Sequence, residues 1–319
     1  MQSHDKAFVL LHRLSDGHFH SGQVLADALG VSRTSIASYI HQLQAMGVDI
    51  YSVKGRGYCL AHPISLLDET LLQGKIDAPV HVFSEIDSTN SWMMQRLEQL
   101  VHGELISCDY QSAGRGRRGR GFASAVAGQL PFSLHWTFEG GFESMQGLSL
   151  VVGVAVAEAL KTLGFEQIGL KWPNDIYAGY TKLAGILIEM NGQPQQLLHI
   201  VAGIGLNVRL GEVSASIDQP VTDLSQLSEQ FIDRNTLLLT CYQHLMQAYE
   251  QFCQSGLAPF IERWNQLDIF HGESVKLIFS DGHVVNGKVN GIDSQGKLLL
   301  NQQGNLRSFN AGEVSLRPQ

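Results

Sequence analysis

Ten residues, Gln111-Ser112-Ala113-Gly114-Arg115-Gly116-Arg117-Arg118-Gly119-Arg120, restrict the fold of this 319-residue chain more than any other stretch. Four arginines within six positions repel one another and cannot enter a core. The segment must therefore be a surface loop, mobile until a polyanion arrives. Its glycines let the backbone wrap closely around such a ligand. Gly114, Gly116 and Gly119 also satisfy G-x-G-x-x-G spacing after the strand-like run Leu105–Tyr110. A dinucleotide site, however, needs a helix opening directly after the glycines. Here Gly121, Gly128 and Pro131 follow instead, and no Gly-Lys-Ser/Thr closes a P-loop. A phosphate-binding loop of another kind, a solvated basic loop and a second nucleic-acid contact remain open.

Around this loop, residues 64–269 alternate strand-like and helical runs. Strands are expected at Val80–Phe83, Leu105–Tyr110, Leu130–Phe138, Ile168–Trp172, Lys182–Met190 and His199–Val208. Helices are expected at Thr89–Leu100, Met145–Leu163, Arg234–Cys253 and Leu257–Leu267, with a polar loop between Trp172 and Lys182. This is a mixed α/β domain. In residues 270–319 the pattern changes to short strands, Ser274–Phe279, His283–Ile292, Lys297–Asn301 and Leu306–Phe309, parted by Gly-containing turns. That pattern predicts a small β-barrel.

Residues 1–63 read as a third unit. A helix over Asp5–Leu14 is followed by one capped by Ser21 and stopped by Gly30, and by one capped by Ser32 and running to about Met46. Ala26 and Gly30 fall where two crossing helices need a small side chain and a left-handed turn. Leu25, Leu29, Val31, Ile36 and Tyr39 fall on the buried positions of a helix-turn-helix. Val48–Val53 and Tyr58–Leu60 flank a Lys54-Gly55-Arg56-Gly57 wing. Arg33, Thr34, Ser35 and Ser38 then face a major groove, with Lys54 and Arg56 at phosphates. The alternative is a head that mediates protein contacts only.

Charge fits this division. The net charge is −8, which argues against a protein that coats nucleic acid, but residues 1–62 carry five basic against four acidic side chains. Cys59, Cys108, Cys241 and Cys253 form no C-x-x-C pair and read as reduced packing residues. Ala7–Leu11 and Gly147–Ala157 are too short for a secretory core or a membrane span, so a cytoplasmic protein is expected.

Five motifs in order resemble the bacterial repressor-type biotin–protein ligases. They are Asp87-Ser88-Thr89-Asn90, the arginine loop, Lys171-Trp172-Pro173-Asn174-Asp175, Lys182-Leu183-Ala184-Gly185-Ile186-Leu187, and Gly203-Ile204-Gly205-Leu206-Asn207. The resemblance covers nearly the whole chain. It implies a winged helix-turn-helix over 1–63, a class II synthetase-like ligase domain over 64–269 and an SH3-like β-barrel over 270–319. It further implies that biotin and MgATP form biotinyl-5′-AMP, and that a lysine of the biotin carboxyl carrier protein of acetyl-CoA carboxylase receives the biotinyl group. With the adenylate bound as corepressor, a homodimer would occupy operator DNA of biotin-synthesis genes. No membrane partner is implied. A monofunctional ligase with a vestigial head is the alternative; a sensor without activity and a lipoate or other acyl ligase are more distant ones.

On this resemblance, Lys182 would hold the biotin carboxylate against the α-phosphate, with Arg117 and Asp175 as its catalytic partners and Asp175 on Mg²⁺. Biotin would meet Ser88, Thr89, Asn90, Gln111, Gly114, Arg115, Gly116, Arg117, Lys182 and Gly185, the backbone amides at 88–90 being free to bind its ureido ring. ATP would meet Arg117, Arg120, Lys171, Asn174 and Asn207. Two departures stand out. Phe122-Ala123-Ser124-Ala125 replaces an aromatic-x-Ser-Pro sequence, and Gly128-Gln129-Leu130-Pro131 lies where family members commonly read Gly-x-Asn-Leu-Tyr. Pro131 lacks a backbone donor, so altered pairing is expected there.

Overall fold

The computed structural model describes residues 3–192, 197–279, 281–311 and 314–318. At the N-terminus α1 (Ser3–Leu14), α2 (Gly22–Leu29) and α3 (Arg33–Ala45) pack around Leu10, Leu11, Leu25, Ile36 and Leu43. Ser21 and Ser32 cap α2 and α3 through the amides of Val24 and Ser35, and Gly30 ends α2 at φ 61°. Strands β1 (Ile50–Val53) and β2 (Gly57–Leu60) form the wing, to which His20 adds a single bridge at Tyr58. The winged helix-turn-helix expected from the cap positions is therefore present.

The central sheet has seven strands in the order β3-β4-β5-β9-β8-β7-β6. They are β3 (Val80–Ile86), β4 (Leu105–Gln111), β5 (Gln129–Glu139), β6 (Ile168–Lys171), β7 (Asp175–Ala178), β8 (Thr181–Asn191) and β9 (Leu197–Asn207). Only β3 and β4 run parallel. Side chains alternate across the sheet. Phe132, Leu134 and Trp136 on β5, with Ile200, Ala202 and Ile204 on β9, enter one large apolar core. That core also takes in α6 (Leu148–Thr162), α7 (Arg234–Ser255) and α8 (Ala258–Leu267), the last of these packed against α6 and α7. The opposite face carries Gln129, Ser133, Gly203 and Gly205, and α5 (Thr89–Met94) lies on it.

Four expectations are corrected. The loop between Trp172 and Lys182 contains β7, whose Ile176, Tyr177 and Ala178 are buried while its first residue, Asp175, is polar. The helix expected to reach Leu100 stops at Met94, and a 3-10 turn at Leu97–Gln99 turns Leu97 into a small core with Met93, Ile106 and Val201. A short α4 (Glu69–Gln73), capped by Asp68, was not anticipated. Pro131 does not disturb the sheet. Its carbonyl accepts from Ser107 Oγ at 2.8 Å, so its donorless nitrogen also points towards β4, where the ladder has already ended at Ser107↔Phe132.

The C-terminal unit is a five-stranded antiparallel sheet in the order β13-β12-β11-β10-β14, around Val275, Leu277, Val289, Leu298 and Leu316. Its strands are β10 (Ser274–Phe279), β11 (Val284–Ile292), β12 (Leu298–Gln302), β13 (Asn305–Phe309) and β14 (Val314–Pro318). The fifth strand, β14, was not expected; it pairs with β10.

The units are joined tightly. Val126 and Ala127, just past the arginine loop, are counted among the head's buried apolar residues, and Val126 N–H donates to Met46 O at 3.1 Å. Beneath them the fully buried Arg234 pairs with Asp109 and donates to the carbonyls of Ser65 and Cys108. Burial pushes the Asp109 carboxyl up, against the pull of the Arg234 guanidinium.

Candidate functional site

A cavity of about 240 Å³ opens on the polar face of the central sheet. Two glycines form part of its floor, each for a steric reason. A Cβ on Gly203 would stand 2.0 Å from Asn90 Oδ1, and one on Gly205 would stand 2.6 Å from the Phe122 ring. A third glycine, Gly185, leaves room for Lys182, whose Nζ would be 3.3 Å from an added Cβ.

One end of the cavity is strongly cationic. The tight β6–β7 turn sets Lys171 opposite Asp175, and the β7–β8 ladder brings Asp175 opposite Gly185. Lys182 Nζ then lies 2.7 Å from Asp175 Oδ1. Among the described residues Lys171 has no such carboxylate contact. It donates to Tyr177 Oη at 3.2 Å and lies over the Tyr177 and Phe270 rings. Burial lowers its pKa to about 8, with Asp175 opposing the shift. From the loop, Arg117 donates to Asn174 Oδ1 at 2.6 Å and to Ala311 O in the C-terminal unit at 3.2 Å. Arg115 pairs with Glu189 at 2.7 Å. The loop also closes on itself, through Gly116 N–H to Arg120 O and Phe122 N–H to Gly114 O. These closures and acceptors offset the repulsion among its arginines.

The other end is polar and uncharged. Ser88, Thr89, Asn90 and Gln111 line it, all of them buried. Two of the three backbone amides expected to be free there, those of Ser88 and Thr89, are used internally. Ser91 N–H donates to the capping Ser88 Oγ, Thr89 N–H to Gln111 Oε1 at 2.9 Å, and Ser88 N–H to Asp87 Oδ1. A ligand at this end would therefore meet mainly side chains. Asn207 also lines the cavity and donates to Thr222 O at 3.0 Å. Arg120 and Gly116 line it as well; Gly114 does not. Gly114 sits behind, where a Cβ would press on Gln111 Nε2 at 2.9 Å and on Phe122.

Comparison with known proteins settles the family. Residues 82–207 match the Biotin/lipoate A/B protein ligase family, 6–59 an HTH domain and 270–317 the Biotin protein ligase C terminal domain. The chain is 41% identical over 309 residues to the bifunctional ligase/repressor BirA of Escherichia coli, covering 97% of this chain and 96% of that protein. The chain belongs to the biotin protein ligase family. It is also 30% identical over 256 residues to a biotin–[acetyl-CoA-carboxylase] ligase of Mycobacterium tuberculosis, covering 78% of this chain and 93% of that one. Among solved structures, the biotin protein ligase of Aquifex aeolicus in complex with biotin and ATP superposes with a TM-score of 0.66 at 29% identity, covering 75% of this chain and 99% of that one.

Several residues of this biotin protein ligase lie at the cavity without having been singled out. Gln129 binds the end of the loop through Ala123 O and Ala125 N–H, so the Gly128–Pro131 departure supplies a clamp. Ile217, Gln219 and Val221 approach because the segment before Thr222 runs beside Lys182, exchanging backbone bonds with it. Leu316 and Arg317 arrive from β14. No local signal marks any of these; register and domain packing bring them in. On the head, Arg33, Thr34 and Ser38 are exposed at the start of α3 and Ser35 is half-buried beside its cap, Ser32. Lys54 and Arg56 are exposed on the wing, the Arg56 guanidinium 3.9 Å above the Phe19 ring.

Proposed function

We propose that this chain condenses biotin with ATP to biotinyl-5′-AMP and pyrophosphate, then transfers the biotinyl group to one lysine of a biotin carboxyl carrier protein of acetyl-CoA carboxylase. The observation that carries the reading is one cavity with two unlike ends: Lys171, Lys182, Arg117 and Arg120 at one, and buried uncharged Ser88, Thr89, Asn90 and Gln111 at the other. A carboxylate attacking an α-phosphate brings two anions together, and fixed cations offset their repulsion as pyrophosphate leaves. Lys182 spans the biotin carboxylate and α-phosphate. Arg117, Arg120 and Lys171 take the phosphates, with Asn174 and Asn207 towards the nucleoside. Ser88, Thr89, Asn90 and Gln111 meet the ureido ring, and Arg115, Gly116 and Gly185 pack along the ligand. In the second step the carrier amine attacks the biotinyl carbonyl and AMP leaves.

Asp175 is the one carboxylate among the described residues lining the cavity. One carboxylate beside phosphates suits Mg²⁺, which keeps waters and substrate oxygens as its other ligands. Bound with ATP, Mg²⁺ would neutralise phosphate charge; releasing Asp175 for it would free Lys182 for the substrate anions.

The head supports a second role, repression of biotin-synthesis genes by an adenylate-bound homodimer on operator DNA. Arg33, Thr34, Ser35 and Ser38 would read the groove, and Lys54 and Arg56 would touch phosphate. We take 1–63, 64–269 and 270–319 as the three domains and the cytoplasm, where ATP and carrier meet, as the site of action. A test of the ligase uses MgATP, biotin and a purified carrier domain, read by mass spectrometry. Wild type should add one biotinyl group, and Lys182→Ala should label about 100-fold more slowly or worse. Biotin binding without any labelling would overturn the ligase reading in favour of a sensor.

A further inference from the structure

Glu189 is not used by any motif or by the proposed chemistry, yet from behind the cavity lining it joins Arg115 of the loop to Asn90 of the polar end. It ends the series Gly185, Leu187, Glu189 on the site face of β8, and its side chain is 24% exposed. A single oxygen, Oε2, accepts from two directions: from Arg115 Nη2 at 2.7 Å and from Asn90 Nδ2 at 2.8 Å. Arg115 belongs to the arginine loop, Asn90 to the polar end.

With the Leu187 carbonyl, which accepts from the same Nδ2 at 3.3 Å, the carboxylate also fixes which way the Asn90 amide faces. A carboxylate only accepts, so Nδ2 must point to Glu189 and Oδ1 away from it. Oδ1 lies 2.6 Å from Ser133 Oγ, in the space that Gly203 leaves open. Ser133 Oγ is 2.8 Å from Thr89 Oγ1, which in turn reaches Gln111 Oε1 at 3.2 Å. An unbroken chain of polar contacts therefore runs from the loop to the far wall. Glutamine at 189 would match the shape of glutamate but could present either a donor or an acceptor. It would not balance the Arg115 charge, and it would leave the longer bond to Leu187 O as the one fixed constraint on the Asn90 amide.

We infer that Glu189 is a positioning residue that ties closure of the arginine loop to the orientation of the side chains facing biotin. The inference rests on the ligase reading. Its consequence is a role in capturing biotin and retaining the adenylate, separate from the phosphoryl step itself.

The test compares wild type, Glu189→Gln and Glu189→Asp in carrier labelling, with melting curves to establish folding and a separate chase for release of biotinyl-5′-AMP. Because the ion pair is part exposed, KM for biotin should rise about fivefold and adenylate release quicken by about the same factor, with kcat within about twofold of wild type. Glu189→Asp, one methylene shorter, should shift both in the same direction. Combined with Arg115→Ala, Glu189→Gln should cost less than the two single effects added. An unmoved KM for biotin in both variants, additive effects, or a fall in kcat alone would overturn the inference. Wild type that fails to label the carrier would overturn the ligase reading and this inference with it; wild type that labels while the variants behave identically would overturn the inference alone.

Discussion

Lys171 differs from Lys182 and Arg115, each paired with a carboxylate, because burial dominates its environment. Its pKa of about 8 makes its charge conditional at mildly alkaline pH. Phosphate binds the protonated form, so its contribution is present below about pH 8 and is lost as pH rises through that value. KM for ATP is therefore expected to climb between pH 7.5 and 9, with a flatter profile in Lys171→Arg, whose guanidinium stays charged. Initial rates across that range check it; parallel profiles would remove Lys171 from phosphate binding. Among residues lining the cavity, the loop arginines announce an anion by their own chemistry, whereas Lys182 and Asp175 were reached through the family resemblance. Glu189, Ser133 and Phe122 were not legible in the sequence, because an isolated Glu, Ser or Phe carries no signal until strand register places it beside Asn90 or over a glycine.

Elements were legible where they carry their own punctuation. Ser21, Ser32 and Gly30 mark the head's helices by the same groups that satisfy the helix ends. Elements whose partners are distant were missed. β7 is only four residues long and opens on the polar Asp175, and it exists as a strand because β6 and β8 flank it. β14 is specified by β10, which it pairs from the far end of the sheet's sequence. The β8–β9 pair makes a sharper demand, since its glycines are the floor on which Asn90 and Phe122 rest. Gly203→Ala would force a methyl into the space of a buried amide, at a cost of about 1–3 kcal/mol. A lowered Tm together with weakened biotin binding is the expected result, measured by thermal melting and titration. A variant with the melting point and biotin affinity of wild type would mean that α5 can slide off the sheet without consequence.

For the whole molecule, the proposed regulation turns on numbers of contacts. One head presents Arg33, Lys54 and Arg56 as its groove- and phosphate-facing cations, too few for firm binding to DNA alone. Two heads on paired half-sites would suffice, which makes association the controlling step. Sedimentation should show a dimer with biotin and ATP present and a lighter species without them. Gel shifts on DNA upstream of biotin genes should follow the same requirement, with a salt dependence that shrinks by roughly one unit of slope per lost phosphate contact in Lys54→Ala and Arg56→Ala. Binding by the lighter species would remove association as the controlling step, and none under either condition would reduce the head to a vestige.

The short segment from Ala125 to Ala127 bears on how such a protein can be rebuilt. It continues directly from the arginine loop, yet its apolar groups are buried with those of the head. Anyone grafting a different DNA reader onto this ligase would be transplanting half of a shared surface. A foreign head would have to reproduce the seat that Met46 and Gly47 offer to Val126 and Ala125. Otherwise the graft would expose a greasy seam and unmoor the far end of the loop that closes over the reactants. Compatibility between donor and recipient is thus decided at three small residues that belong in sequence to the ligase and in packing to the head.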